Sequence, residues 1–237
     1  MKKFNDSKKV AILVDGGFYR KRAYKAFGDL SPEERANELE TYCKRHLTEK
    51  INGINVHHDL YRIFYYDCPP SQKAIYNPIT KTNVELSKSN QYKWTNAFFS
   101  EIKKKRKFAL RLGELTEADL GYYLTPGKTK DVIQGKLKPE DISESDLKLM
   151  IGQKGVDMRI GLDIASLAYK KQVDQIVLIS GDSDFVPAAK LARREGIDFV
   201  LDPLGAKVKD NLLEHIDGLN TKDSKFYFDR VQNKNNH

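Results

Sequence analysis

Three carboxylates stand where two apolar runs stop. Ile176 to Ile179, inside the stretch VDQIVLISGDSDFVP (173–187), is short and rich in β-branched residues, and Asp182 and Asp184 follow it at once. Val10 to Val14 is a second such run and ends at Asp15, with Gly16 and Gly17 next. Bounded runs of this length read as buried strands, so each strand delivers acid to its carboxyl end. Unpaired carboxylates at close range raise one another's pKa, and a divalent cation would relieve the repulsion. A fourth acid, Asp157, comes after Lys154, Gly155 and Val156, in the first turn of a helix predicted to run to about Lys170. Asp163 lies six residues further on, about 9 Å along the axis at roughly 1.5 Å per residue and rotated away. It joins the group only if the helix starts later or tilts strongly. Hard oxygen ligands without His or Cys select Mg²⁺ or Mn²⁺ over Zn²⁺. His57 and His58 are adjacent and have no His or Cys partner at ligand spacing, so zinc is rejected. Taken singly, Asp15 and Asp182 can also shape turns beside Gly, and Asp157 can cap its helix.

The elements that must position these acids alternate between strand and helix. After Asp15, Gly16 to Phe27 has helical spacing with Gly28 as its stop, and Ser31, Pro32, Glu33 and Glu34 start a helix expected to reach about Lys50. His58 to Tyr66 is the second strand and Phe108 to Leu115 the third, with a helix over Ser87 to Arg106 between them. Ser71 to Val84 reads as an irregular connection. Residues 116–150 read as an irregular insertion, with a strand and turn near Tyr122 and a polar stretch over Lys128 to Lys138. Ile176 to Ile179 is the fourth strand and Gly196 to Leu201 the fifth. A short helix over Lys209 to Ile216 and an edge strand over Phe226 to Phe228 follow, and the tail QNKNNH reads as frayed. The pattern predicts one α/β domain over residues 1–237, a three-layer Rossmann-like sandwich with a mainly parallel sheet in the order 3-2-1-4-5. In that order the first and fourth strands flank the topological switch point. Asp15 then lies on one side of the crevice, Asp182 and Asp184 on the other, and Asp157 on its rim.

Composition sets the outer bounds. Over 237 residues, 41 Lys and Arg against 33 Asp and Glu give a formal charge of +8, which suggests a polyanionic partner. The densest cluster is Lys103, Lys104, Lys105, Arg106 and Lys107, at the end of a predicted helix. It reads either as a phosphate-contacting patch or as a solvated helix end that suits the dipole. Lys154 and Arg159 are further candidates for phosphate contact near the acids. Phe18, Tyr19, Tyr24 and Trp94 are candidates for base stacking if exposed, and core-like helical spacing favours burial for Trp94. Asp67 ends the second strand as a turn former, or reaches the acids through water. Two cysteines, Cys43 and Cys68, are too few for a disulfide framework and fit a reduced compartment. No stretch approaches 18 consecutive apolar residues and no apolar leader opens the chain, which reads as soluble and cytoplasmic.

VAILVDGGFYR, KGVDMRIGLDIASLA and VDQIVLISGDSDFVPAAKLAR, followed by GIDFVLDPLG and HIDGL, resemble the NYN domain family, in its LabA-like branch of the PIN-like metal-dependent nucleases. GDSDF after a strand together with KGVD before a helix is the specific part of the match; residues 68–150 are only loosely constrained by it. The resemblance implies a PIN-like nuclease in which Asp15, Asp157, Asp182 and Asp184 match the acidic motif positions and Asp163 a further acid of the family. It also implies Mg²⁺ or Mn²⁺ as cofactor and a nucleic-acid substrate, with single-stranded RNA favoured. A homodimer is compatible with it, since many PIN-like nucleases pair. One departure stands out. The family's first motif often reads DGxN, and Phe18 occupies the place of that Asn.

Two other functions stay open at this point. A non-catalytic nucleic-acid-binding module on the same fold would explain Phe18 and the basic run. An aspartyl-phosphate phosphatase of the haloacid dehalogenase type would explain GDSD, but it needs an Asp at position 17, where the chain has Gly.

Overall fold

The computed structural model describes residues 7–228, except for the side chains of 117–119. Two compact units divide the chain. One comprises the chain up to Asp67, Ala97–Gly113 and everything from Gly155 onward; the other comprises Cys68–Asn96 and Glu114–Lys154.

The first unit is built on six parallel strands: β1 (Lys9–Asp15), β2 (Asp59–Asp67), β3 (Phe108–Leu112), β4 (Gln175–Ile179), β5 (Asp198–Asp202) and β6 (Gly218–Leu219). Their order is β6-β5-β4-β1-β2-β3. The five expected strands thus lie as 3-2-1-4-5, and a two-residue strand extends the sheet beyond β5. Phe226 to Phe228, expected as an edge strand, is not part of it: Ser224–Tyr227 forms a 3₁₀ turn that buries Phe226.

Near-continuous apolar strands are what a parallel sheet covered on both faces requires. Val10 to Val14 and Ile176 to Ile179 are buried throughout. Alternate residues serve opposite layers. Ala11, Leu13, Leu178 and Leu201 pack with Ile160, Ile164, Leu167 and Ala168 of α4 (Val156–Tyr169) and with Ala189 and Ala192 of α5 (Val186–Arg194). On the other face, Tyr65 meets Tyr19 of α1 (Gly16–Phe27) and Phe98 and Phe99 of α3 (Asn90–Lys104). Leu39, Tyr42 and Cys43 of α2 (Pro32–Arg45) are buried as well. α2 opens with the expected capping box, Ser31 with Glu34. It stops at Arg45 rather than near Lys50 because Thr48–Ile51 pairs with Ile54–His57. Asn52 and Gly53 both have positive φ, the geometry that an Asn-Gly hairpin turn demands. Lys209 to Ile216 shortens to one helical turn, Asp210–Leu213.

The second unit is more regular than its sequence suggests. Ala74–Asn77 and Thr82–Glu85 form a hairpin where an irregular connection was expected. The Asn77 side chain accepts from the amides of Ile79 and Thr80 and so folds the turn around Pro78. Glu114–Leu124 and Leu147–Lys154 form a longer hairpin, irregular between Thr116 and Gly121. A helix over Pro126–Ile133 begins with Pro in its first turn, within the stretch read as polar and irregular. The expected frayed tail lies outside the described residues. Among the described residues no helix is long and apolar enough to cross a membrane.

Candidate functional site

Every parallel strand points its carboxyl end at the same edge of the sheet, and the expected acids gather there. β1 ends at Asp15, which also caps α1: its Oδ1 accepts from the Phe18 amide at 3.0 Å and its Oδ2 from the Ser180 hydroxyl at 3.2 Å. Gly16 cannot carry a side chain, because a Cβ there would lie 2.6 Å from the Tyr65 hydroxyl and from the Tyr66 carbonyl oxygen. After β4, Ser180 accepts from the Asp182 amide at 3.3 Å, and Asp182 Oδ1 accepts from the Asp184 amide at 3.0 Å. Ser180 therefore ties the first strand's acid to the loop after the fourth. Asp157 sits in the first turn of α4, two residues after the N-cap Gly155 at φ 80°.

The electrostatics link the four. Burial pushes the Asp15 carboxyl above its usual range, against the pull of its two hydrogen bonds, and the charges of Asp67 and Asp182 push the same way. Asp157 keeps substantial contact with solvent, yet its carboxyl also rises. Partial desolvation is the larger cause, and the charges of Asp15, Asp182 and Asp184 add to it. Asp182 and Asp184 are exposed. No basic side chain bonds to any of the four among the described residues. The donor set is oxygen only and suits a hard divalent cation. It is not a finished coordination sphere, since no three His, Cys, Asp or Glu side chains among the described residues converge on one ion position.

Other candidates land elsewhere. Asp163 is engaged by its neighbours: its Oδ2 accepts from the Tyr66 hydroxyl at 2.8 Å and from Arg111 Nε at 3.2 Å. Asp67 is 1% exposed and its side chain is engaged in an ion pair. Arg20 grips it with both terminal nitrogens, at 2.9 and 3.1 Å, and the Tyr65 hydroxyl donates to it at 3.2 Å. The basic run is at the wrong edge for the acids. α3 ends just before β3 begins, so Lys103 to Lys107 lie at the amino edge, where the Lys107 carbonyl accepts from the Ile63 amide. The carboxyl edge is about 13 Å away along β3, at roughly 3.3 Å per residue. Three of the five cations are also committed. Lys104 donates to Glu101, Lys105 to Asn37 and Glu40, and Lys107 to the Leu60 carbonyl. Lys103 and Arg106 are exposed, as is Arg159 on α4. Lys154 is exposed at the end of a hairpin strand in the second unit. Tyr19 is buried and Tyr24 is 61% exposed, while Trp94 is half-buried.

Phe18 is half-buried beside the GDSD loop. A Cβ at Gly181 would stand 2.6 Å from Phe18 Cε2 and 3.0 Å from Cζ, so any larger residue there must displace that ring. Three groups at this edge were not singled out from sequence. Ser180 joins Asp15 to Asp182, and Arg20 holds Asp67. Lys209 donates to the Ser183 hydroxyl inside the GDSD loop at 3.1 Å. Their signal was topological: Ser180, Arg20 and Lys209 follow the carboxyl ends of β4, β1 and β5 by one, five and seven residues.

A model of the NYN domain matches residues 9–211. No curated protein matches the chain. Among solved structures, the chain is similar to a protein of unknown function from Vibrio parahaemolyticus, at 17% identity and a TM-score of 0.47, covering 95% of this chain and 99% of that one. It is also similar to a Sir2 enzyme bound to a propionylated peptide, at 12% identity and a TM-score of 0.38, covering 98% and 95%. Likenesses this distant add nothing to the assignment.

Proposed function

The chain belongs to the NYN domain family, a family of PIN-like nucleases, and from that premise we propose that it is a metal-dependent endoribonuclease of the LabA-like branch, acting on single-stranded RNA. The observation that carries the reading is that Asp15, Asp157, Asp182 and Asp184 come from three separate segments and yet feel one another's charge at one sheet edge. These four would hold Mg²⁺ or Mn²⁺. Such an ion supplies an activated water and stabilises the charge that builds on a cleaved phosphodiester. The protein's part is orientation. Two hydrogen bonds fix the Asp15 carboxylate and the Asp184 amide fixes Asp182, so their oxygens meet a substrate without rearranging. A flexible single strand enters such a crevice more readily than a duplex does. Should two copies pair, the apolar face open to them is the exposed row Met158, Leu162 and Tyr169 on α4.

A second reading, a binding module without turnover, is favoured by Phe18 packed over Gly181 where the family often has Asn. One experiment separates the two. Labelled single-stranded RNA, single-stranded DNA and duplex DNA are incubated with the protein and with Asp182→Asn, in Mn²⁺, Mg²⁺ or EDTA. Asn keeps an Oδ1 to accept from the Asp184 amide, so the loop stays in place while the charge goes. Metal-dependent RNA cleavage lost in the variant is the expected result. Cleavage by Asp182→Asn at the wild-type rate sinks the site, and salt-sensitive binding without cleavage selects the second reading.

A further inference from the structure

A nucleic-acid backbone cannot approach four carboxylates unless cations stand beside them, and the basic run that dominates the sequence is at the opposite edge. Arg20 at that edge is committed to Asp67, and two further lysines come from the segment that follows β5. Residues 203–209 lead away from the carboxyl end of β5, which lies next to β4 in the sheet. Lys207 and Lys209 are exposed on either side of buried Val208, and with Asp210 these residues line a cavity of about 370 Å³. Lys209 reaches the GDSD loop itself through its 3.1 Å bond to Ser183, one residue from Asp182 and from Asp184. Lys209 therefore lies beside the metal-binding candidates, and Lys207 lines the same cavity with it.

The segment is held far more tightly than a solvated loop needs. Leu204 and Gly205 both have positive φ, 47° and 73°, and the Ala206 amide closes the turn onto the Pro203 carbonyl at 2.9 Å. A leucine in that region is strained and persists only where its surroundings impose it. They do so at both ends of its peptide unit. Asp202 Oδ1 accepts from the Leu204 amide at 2.8 Å, while Arg22 donates to the Leu204 carbonyl at 3.0 and 2.7 Å and to the Phe226 carbonyl at 2.9 Å. At Gly205 a Cβ would be 2.3 Å from the Phe226 carbonyl oxygen, so glycine is required by space as well as by φ.

We propose that Lys207 and Lys209 form a phosphate subsite for a single-stranded nucleic acid, holding a backbone phosphate next to the one at the acid cluster and running the strand across the edge towards β5. The subsite rests on the nuclease reading for its purpose but not for its test. Lys207 and Lys209 are positioning residues, so their loss raises KM and leaves kcat nearly unchanged.

The test is binding of a fluorescein-labelled single-stranded RNA 20-mer to the full chain in EDTA, read by anisotropy across a salt series. Three proteins are compared: wild type, Lys207→Gln/Lys209→Gln, and Lys103→Gln/Arg106→Gln, which removes the same charge from the opposite edge. Single-strand binding loses about 0.7 in the slope of log K against log salt for each phosphate contact removed. The first variant is expected to bind about tenfold more weakly, with a slope shallower by about 0.7 for the one phosphate released, and the second to bind as wild type. Restoring charge with Lys207→Arg/Lys209→Arg returns the binding. Equal losses in both Gln variants, wild-type binding by the first, or no binding by wild type overturns the subsite. If the wild type binds as expected but leaves RNA intact in Mn²⁺, the nuclease reading fails and the subsite stands.

Discussion

Asp202 is a further acid at the carboxyl edge, and the structure gives it a different task from Asp15, Asp157, Asp182 and Asp184. It is 0% exposed and both of its oxygens are fully used. Oδ1 accepts from the Leu204 amide and the Thr221 hydroxyl, each at 2.8 Å. Oδ2 meets His46 Nε2 at 2.9 Å and the Tyr42 hydroxyl, which in turn accepts from the Lys222 amide at 3.2 Å. Burial, and then the nearby Asp202 charge, drives the Tyr42 hydroxyl far above its usual range. Asp202→Ala leaves four partners without an acceptor in a dry site. At roughly 1–2 kcal/mol for each, the loss is about 4–8 kcal/mol, against a total stability on the order of 5–15 kcal/mol. Asp202→Asn is milder. Its oxygen can replace Oδ1 for Leu204 and Thr221, and only the Tyr42 and His46 side is disturbed, for about 2–4 kcal/mol.

Urea unfolding at pH 7 measures both variants, with the slope of each transition checked against wild type. The expected order is wild type, then Asp202→Asn, then Asp202→Ala close to unfolded. Where Asp202→Asn is folded, it should bind RNA more weakly, because the Leu204 turn carries Lys207 and Lys209, while kcat changes little. A loss below about 1 kcal/mol for Asp202→Ala would refute the claim that this network holds the turn. A collapse of kcat by 10³ at wild-type stability would instead put Asp202 among the reacting groups.

Three further outcomes follow from the same edge. Asp157 has its carboxyl pushed above the usual 3.8, so its ionised form opposes folding at neutral pH; in EDTA, Asp157→Asn should melt higher at pH 7, by under about 1 kcal/mol because solvent screens the charge. That gain should shrink as pH falls through the raised pKa towards 3.8, and no gain at pH 7 contradicts the electrostatic linkage. Arg20→Leu strands the buried Asp67 carboxylate and should cost about 3–5 kcal/mol in urea, whereas Arg20→Lys keeps the charge but not the two-pronged grip and should fall between. Gly181→Ala drives a methyl into the Phe18 ring and should cost about 1–3 kcal/mol; in a Phe18→Asn background the penalty should nearly vanish, and additive effects in this double-mutant cycle would mean the two do not touch.

Much of this edge was legible because its chemistry is local. Asp15, Asp182 and Asp184 each end an apolar run, and a parallel sheet has one carboxyl edge, so the alternation of strands and helices already implied that they meet. The position of the Lys103 to Lys107 run was not legible for the complementary reason. Its charge density is visible in sequence, but its edge is set by topology: a helix that precedes a parallel strand ends at the amino edge, whatever it carries. The row Met158, Leu162 and Tyr169 has helical spacing like a core stripe, and only packing reveals that Ile160, Ile164 and Leu167 face the sheet instead. Asn52-Gly53 and the Asn77 turn were readable as hairpin signals, since positive φ and side-chain-to-amide bonds are what those residue types supply. Lys207 and Lys209 look like any solvated lysines until Asp202 and Arg22 are seen to fix the turn before them.

One acid stands at or just beyond the carboxyl end of each of four neighbouring strands: Asp67 on β2, Asp15 on β1, Asp182 after β4 and Asp202 on β5. A row of four like charges on strands roughly 4.8 Å apart would oppose folding if all were left bare. The outer two are held by close partners, Asp67 in an ion pair with Arg20 and Asp202 by a ring of donors. The inner two flank the switch point and receive hydrogen bonds but no cation. Stabilising all four in the same way would have been the cheaper solution for the fold. Leaving only the central pair uncompensated, with Asp157 and Asp184 added to it, stores the repulsion where a cation and a phosphodiester could relieve it. The repulsion at Asp157 is thus the stability cost of the site, and the paired acids on either side keep that cost confined to the crevice.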